Sequence, residues 1–328
     1  MPEVLVLLDS QDQQLRSATQ ELLTLASQLG EPVAVWAGAG EPDTSLADEL
    51  ASWGVKRINV LRGDTPETAD LTVFASRPIA IGLAQLLAET QPRALLATSA
   101  FGVKEIAAHL GQLTGSGVMT DLASITTETD EITGEQIIFA GTWSVRGVVS
   151  AGTPILLLKP GAIDAQRLDT ATTPQQRVVS VSIPTNLRSA RVTSRTARPE
   201  ADGPDLMSAS TVVVGGRGTD GDFTQVREFA DALGGAVGAT RVATDEGWID
   251  HSAQIGQTGV TIAPRLYIGA GVSGAVHHRG GMQASEIIVA INSDEDAPLM
   301  EIADFGVIGD LQDVLPQAAA EIRRVREK

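Results

Sequence analysis

Short apolar runs alternate with amphipathic stretches through the first half of the chain. Val4 to Leu8, Val33 to Trp36, Ile58 to Leu61 and Ala94 to Ala97 read as strands. Between them, Leu15 to Leu29, Leu46 to Trp53, Ile79 to Leu87 and Ile106 to Leu113 place apolar residues at helical spacing. That alternation predicts repeated βα units and a mostly parallel sheet. Past Asp121 the texture changes. Ile137 to Ala140, Trp143 to Val145, Ile155 to Leu158 and Val178 to Ile183 read as consecutive strands joined by turns, without helices between them.

From Asn186 to Pro204 the apolar periodicity fades. Arg188, Arg191, Arg195 and Arg198 accumulate before Pro199-Glu200-Ala201-Asp202-Gly203-Pro204, a composition suited to a solvated connector. A second α/β block opens at Thr211-Val212-Val213-Val214. It predicts a helix around Phe223 to Leu233, strands at Ala236 to Ala239, Leu266 to Ile268 and Glu286 to Ile291, and a last helix from Leu311 to Val325. Arg323, Arg324 and Arg326 suit the negative end of that helix. The fold class is therefore α/β: an N-terminal mostly parallel domain with added strands, then a C-terminal doubly wound, Rossmann-like domain.

The length of 328 residues agrees with two domains. With no cysteine in the chain, disulfides and zinc–thiolate sites are excluded. A formal net charge of −17 with only 3 % aromatic residues argues against nucleic acid as a partner, since a phosphate backbone needs a positive field. No stretch of about 18 apolar residues occurs, and Met1-Pro2-Glu3-Val4 lacks a basic leader, so a cytoplasmic chain without membrane insertion is expected.

Four segments carry candidate chemistry. Gly216-Arg217-Gly218-Thr219-Asp220-Gly221 fits G-x-G-x-x-G between a strand and a helix, where glycines let the backbone approach a pyrophosphate. An NAD site would place an acid after the next strand; here stand Thr240-Arg241, leaving NADP or another anionic cofactor open. Gln254-Ile255-Gly256-Gln257-Thr258-Gly259 offers amide and hydroxyl groups suited to a heteroaromatic edge. Ser273-Gly274-Ala275-Val276-His277-His278 follows a strand and a glycine turn. It lacks the last glycine of a nucleophile elbow, and adjacent histidines lack metal-ligand spacing. Asn292 and Asp310 end predicted strands, where doubly wound sheets bind ligands.

In order and spacing, Gly215-Gly216-Arg217-Gly218, Gly238-Ala239-Thr240-Arg241, Gly256-Gln257-Thr258-Gly259 and Leu266 through Asn292 resemble the α subunit of electron transfer flavoprotein. The N-terminal half adds Lys104-Glu105-Ile106-Ala107 and Gly115-Ser116-Gly117. The resemblance implies an FAD carrier without substrate chemistry of its own, paired with a β subunit. It would pass electrons from flavin dehydrogenases, such as those for acyl-CoA in fatty acid oxidation, to a quinone-linked oxidoreductase or another acceptor. It implies a partner-docking domain over residues 1–187, a hinge over 188–206 and an FAD domain over 207–328.

By the same resemblance, Arg217 and the turn Ser273, Gly274, Ala275 and Val276 would meet the pyrophosphate and ribityl chain. Thr240, Arg241, Gln254, Ile255, Gly256, Gln257 and Thr258 would surround the flavin, with Thr258 near N5. His278 would sit as an imidazolium at the N1–C2 edge, with His277 beside it, while Asn292, Asp310 and Leu311 would hold the adenosine. His277, Glu286 and Ser293 depart from the family's usual residues. An NADP-dependent oxidoreductase and a family member that has lost FAD stand as rival expectations.

Overall fold

The computed structural model describes residues 1–9, 13–128, 130–139, 143–168, 171–194, 196, 203–207 and 209–326. Two compact units result, Met1–Ile138 with Ser144–Ala197, and Arg198–Lys328 with Phe139–Trp143.

The first unit runs β1 (Glu3–Leu7), α1 (Ser17–Leu29), β2 (Glu31–Trp36), α2 (Thr44–Ala51), β3 (Arg57–Gly63), α3 (Ser76–Thr90), β4 (Ala94–Thr98) and α4 (Phe101–Thr114). Strands β5 (Val118–Glu128), β6 (Glu131–Ile138), β7 (Trp143–Val148), β8 (Ile155–Leu158) and β9 (Gln175–Val181) follow. They form one nine-stranded sheet in the order β7-β6-β5-β8-β4-β1-β2-β3-β9. From β8 across to β9 every pairing is parallel. The continuous apolar runs of β1, β2 and β4 follow from that topology, because parallel strands are covered on both faces. Along β1, Val4 and Val6 point into one core with Leu22, Leu50 and Trp36, and Leu5 and Leu7 into the other with Leu83, Leu86 and Leu110.

The β-rich texture after Asp121 is a hairpin, β5 with β6 antiparallel, added to the sheet beside β8. Strand β5 carries no continuous apolar run and is not predicted by the pattern; β6 shares only Ile137 and Ile138 with the strand predicted over Ile137 to Ala140, of which Ala140 lies outside the described residues. The register of β5 against β8 shifts between Met119 and Leu122, where Asp121 adopts φ 56°. Farther along, the Glu21 carboxylate, buried on α1, accepts the backbone N–H groups of Gly161, Ala162 and Ile163 at 3.0, 3.1 and 3.4 Å.

The arginine-rich segment begins on this unit. Ala75 N–H donates to the Ala190 carbonyl at 2.9 Å, and Val192 N–H to the Val73 carbonyl at 3.0 Å. The Arg191 guanidinium lies over the Phe74 ring at 5.1 Å, and Arg77 donates to the Arg188 carbonyl at 3.1 Å. Arg191 is thus held by strand-like pairing with Phe74, and Arg188 through its carbonyl by the Arg77 side chain. Arg195 and Arg198 lie outside the described residues.

The second unit runs β10 (Thr211–Gly215), α5 (Thr224–Leu233), β11 (Ala236–Ala239), α6 (Arg241–Asp245), β12 (Leu266–Ala270), α7 (Val276–Arg279), β13 (Ile287–Asn292), β14 (Phe305–Ile308) and α8 (Leu311–Arg326). Its five strands stand in the order β11-β10-β12-β13-β14, all parallel. Helices α5 and α8 cover one face, packing Val226, Phe229, Leu315 and Ala319 against Val213 and Ile268. On the other face Val212, Val214 and Tyr267 pack with Ile255, Met282 and Leu299. After β10 the chain steps to β11 and then crosses to β12 on the other side, which opens a switch point at the carboxyl ends of β10 and β12. No helix among the described residues is long and apolar enough to cross a membrane, and no metal-binding cluster occurs among them.

Candidate functional site

Around that switch point lies a cleft of about 520 Å³. Its floor is two glycine turns in contact. Gly216 N–H donates to the Ala270 carbonyl at 3.1 Å and Gly218 N–H to the Gly271 carbonyl at 3.0 Å. A methyl group on Gly218 would stand 2.8 Å from the Gly271 Cα, so backbone here approaches backbone with no room for side chains. The second turn is fixed from behind: Asn292 donates its amide to the Val272 carbonyl at 3.0 Å, and Leu299 N–H reaches the Ser273 carbonyl at 3.1 Å. Gly274 carries φ +81°, and a Cβ there would strike the Leu299 backbone. Helix α5 does not start at the glycine motif. A 3-10 turn, Arg217–Thr219, and four further residues precede it.

One wall comes from β11 and the loop after it. Thr240 N–H caps β10 through the Gly215 carbonyl at 3.0 Å, and Arg241 opens α6. The Arg241 guanidinium meets Asp245 at 3.1 Å with both side chains more than half exposed. Such a pair contributes at most about 1 kcal/mol, so an anion in the cleft can draw the arginine away. Ile255 N–H donates to the Ala239 carbonyl at 2.9 Å and Gln257 N–H to the His277 carbonyl at 2.9 Å, fixing the amide-rich loop against both β11 and α7. Gln254 is buried; its Nε2 donates to Thr258 Oγ1 at 2.9 Å, and its Oε1 accepts from Thr244 Oγ1 at 2.9 Å.

Of the residues expected at the site, the cleft brings together Arg217, Thr240, Arg241, Gln254, Ile255, Gly256, Gln257 and Thr258 on this side. Ser273, Gly274, Ala275, His277, His278 and Asn292 complete it on the other. Three expected residues lie off its lining. Val276 faces solvent as the first residue of α7, nearly half exposed. The Asp310 carboxylate is taken by the start of α8, accepting the Gln312 N–H at 2.9 Å. Leu311 is buried beneath the second glycine turn, its Cδ2 2.8 Å from where a Cβ on Gly271 would stand. The lining also includes Gly218, Asp220, Val242, Gly271, Asp294 and Ala297. Strand-end position, used to select Asn292, would have found Asp294 as well.

His278 needs a correction. It is buried; Tyr267 OH stands 2.7 Å from its Nε2, and its Nδ1 is 3.0 Å from the Ile255 carbonyl. A carbonyl can only accept, so Nδ1 carries the proton and Nε2 accepts from the tyrosine. Burial pulls the imidazole down to about 4, against a weaker opposing effect of the Ile255 hydrogen bond. Burial likewise raises Tyr267, which keeps its proton to donate. The expected imidazolium is a neutral ring, and the permanent positive charges of the cleft are Arg217 and Arg241. Glu286, a departure from the family's usual residues, precedes β13 at the amino end of the strand and pairs with Arg265 at 3.6 Å, at the opposite end of the sheet from the cleft.

Two features fit a large planar, phosphate-bearing cofactor. Buried Thr240 Oγ1 has no hydrogen-bond partner among the described residues, and so offers an unmet hydroxyl at the cleft. The glycine turns form a cradle of bare backbone at the cleft, in which a Cβ on Gly218, Gly271 or Gly274 would strike neighbouring backbone.

Comparison with known proteins agrees in both units. The family model described as the electron transfer flavoprotein domain matches residues 4–184, and that of the electron transfer flavoprotein FAD-binding domain matches residues 205–283. The second match decides the choice left open at Gly216–Gly221 in favour of FAD. The electron transfer flavoprotein subunit alpha of Mycobacterium leprae is 38% identical over 326 residues, 98% of this chain and 99% of that one. Its counterpart in Mycobacterium tuberculosis is 39% identical over the same coverage. That of Paracoccus denitrificans is 33% identical over 94% of this chain and 95% of its own length. With both units matched in order and relatives aligned nearly end to end, the chain belongs to the electron transfer flavoprotein family, in its α-subunit branch.

Proposed function

We propose that this chain is the FAD-bearing α subunit of a heterodimeric carrier, which takes electrons from flavin dehydrogenases and delivers them to a quinone-linked or other acceptor. The observation that carries the proposal is the glycine cradle at the β10/β12 switch point, with the unmet Thr240 hydroxyl beside it. Bound FAD would supply the electron-accepting ring. Arg217 and the Gly216 to Gly218 turn would hold the pyrophosphate, and Asn292 would keep the second turn in place through Val272. Arg241, free to leave Asp245, would set positive charge beside the ring. Neutral His278 would position the Ile255 loop through its Nδ1–H and lend no charge. As an electron carrier the chain would ask no residue of the cleft to act as nucleophile or general acid, and its membership of the electron transfer flavoprotein family supports that reading. Residues 1–187 would serve as the docking domain for a β subunit, 188–206 as the connector and 207–328 as the cofactor domain.

Co-expression with the family's β subunit followed by visible absorption spectroscopy tests the reading. The expected result is a yellow heterodimer with one FAD at this site, released by Gly218→Val. A correctly assembled but colourless heterodimer that cannot be reconstituted with FAD overturns it.

A further inference from the structure

Behind the cleft wall lies a short hydrogen-bonded chain that holding a cofactor does not by itself call for. Thr244, Gln254 and Thr258 are linked in series, with Thr244 and Gln254 buried and Thr258 exposed on the wall. The backbone of Gln254 is clamped on both sides, its N–H by the His251 carbonyl at 3.1 Å and its carbonyl by Val260 N–H at 2.8 Å. Only its terminal amide can turn. An amide oxygen accepts and an amide nitrogen donates, so the arrangement has a direction. Thr244 gives its proton to Gln254 Oε1, Gln254 Nε2 gives a proton to Thr258 Oγ1, and the Thr258 proton is left to point into the cleft.

The same three residues satisfy the opposite direction. With the amide rotated by half a turn, its nitrogen donates to Thr244 Oγ1 and its oxygen accepts from the Thr258 hydroxyl, whose remaining lone pair then faces the cleft. This second state leaves nothing buried unpaired for one reason. The Thr244 hydroxyl has another acceptor at hand, the Arg241 carbonyl at 2.9 Å, to which it can turn its proton. Thr244 is 2 % exposed, so water could not take over that task. A buried amide normally has one orientation because the other leaves a donor facing a donor. Here a hydroxyl on each side of the amide removes that penalty.

We propose that Thr244 and Gln254 are positioning residues that let Thr258 reverse the polarity of the hydrogen bond it offers to the flavin edge. The proposal rests on the FAD reading above. Thr258 would donate to N5 of the oxidised ring. It would accept from N5–H once the ring has taken up two electrons from the reductant and one proton from solvent, the Gln254 amide turning over between the two states.

The test uses the full chain, co-expressed with its β subunit, carrying FAD and glutamine labelled with ¹³C at the side-chain carbonyl. Infrared difference spectra are recorded as dithionite reduces it. Wild type is expected to show a paired, label-sensitive amide carbonyl band, absent in Gln254→Met. The pair should be retained in Thr244→Ser and weakened at least about fivefold in Thr244→Val, the factor for losing one net hydrogen bond of about 1 kcal/mol. Thr244→Ala serves as a second variant, in case the branched side chain disturbs assembly. FAD content, read from the visible spectrum before reduction, should be equal in wild type and the Thr244 variants, which lie off the cleft lining; Gln254→Met serves only to assign the band. A yellow wild type without the band pair, or a Thr244→Val or Thr244→Ala protein in which it is undiminished, overturns the proposal. A wild type that takes up no FAD overturns the cofactor reading itself, and is recognised before any reductant is added.

Discussion

The two units use the same topological device and arm it differently. In the first sheet the chain lays down β1, β2 and β3 on one side and crosses to β4 on the other; in the second it lays down β10 and β11 and crosses to β12. Each therefore has a switch point at the carboxyl ends of neighbouring parallel strands, where such sheets bind ligands. In the second unit the two turns are glycines in backbone contact, and a cleft opens above them. In the first, the polar groups after β4 are engaged with one another. Lys104 Nζ meets Asp121 at 2.7 and 3.0 Å, and Ser99 both donates to the Asp121 carboxylate and accepts its N–H, each at 3.0 Å. After β1, Asp9 pairs with Arg16 at 3.2 Å. Topology supplies the place for a site; the residues at the turns decide whether ligand or protein fills it.

Four experiments would break or sharpen that contrast. The largest effect is expected for Gly274→Val, which forces a side chain with φ +81° against Leu299. It should cost on the order of 3 kcal/mol of stability in urea unfolding and abolish FAD retention on gel filtration. A loss of similar size is expected from acid alone. His278 titrates near 4 in the folded state and near 6.5 when unfolded. Above about 6.5 both states are neutral and the effect is nil. As pH falls from there to about 4 only the unfolded chain gains the proton, so stability should drop by roughly 3 kcal/mol and then level off. Urea midpoints across that range, compared with His278→Gln, which should lack the slope, check it.

In the first unit, burial raises the Asp121 carboxyl, but the hydrogen bond and charge of Lys104 and the hydrogen bonds of Ser99 and Thr120 outweigh it and hold it below the usual range. Lys104→Met should therefore destabilise by no more than about 1 kcal/mol, because both partners are partly exposed, and should leave FAD content unchanged. An FAD content that fell with it would show that the two switch points are not independent. The smallest effect is expected for Gly102→Ala in α4, where a Cβ would meet nothing within 4 Å. Thermal unfolding should show a gain of about 0.5 kcal/mol, again with FAD unaffected. The glycines of the cleft's turns permit no such exchange, since a Cβ on Gly216, Gly218, Gly271 or Gly274 would stand less than 3 Å from backbone.

The parallel strands were legible because burial on both faces writes them as unbroken apolar runs. Strand β5 was not. It pairs with β8 on one side and with its hairpin partner β6 on the other, and Thr120, Asp121, Ser124 and Thr126 interrupt any period. In the cleft, strand ends and glycine turns single out the segments, while the resemblance supplies the individual residues. Strand-end position selects Asp310 but does not reveal that its carboxylate caps α8, and the resemblance that adds Leu311 does not reveal that it packs below Gly271. Tyr267 and Thr244 escaped notice for a related reason. Tyr267 falls within a predicted strand, where it reads as core, and Thr244 within a stretch for which the pattern predicts no element. The partner that gives each its role arrives from 11 or 10 positions further along the chain. The charge of His278 was misjudged because sequence names the imidazole and not the burial that neutralises it.

The carboxylate of Glu21 carries a consequence of its own. Gly161, Ala162 and Ile163 belong to no helix or strand, yet their N–H groups point at a buried acceptor anchored on α1. Their amide hydrogens should exchange with deuterated water on the slow timescale of the core, and should speed up together in Glu21→Ala. A protection map of this unit would then show a patch of loop behaving as core, its persistence set by one side chain 140 positions earlier in the chain.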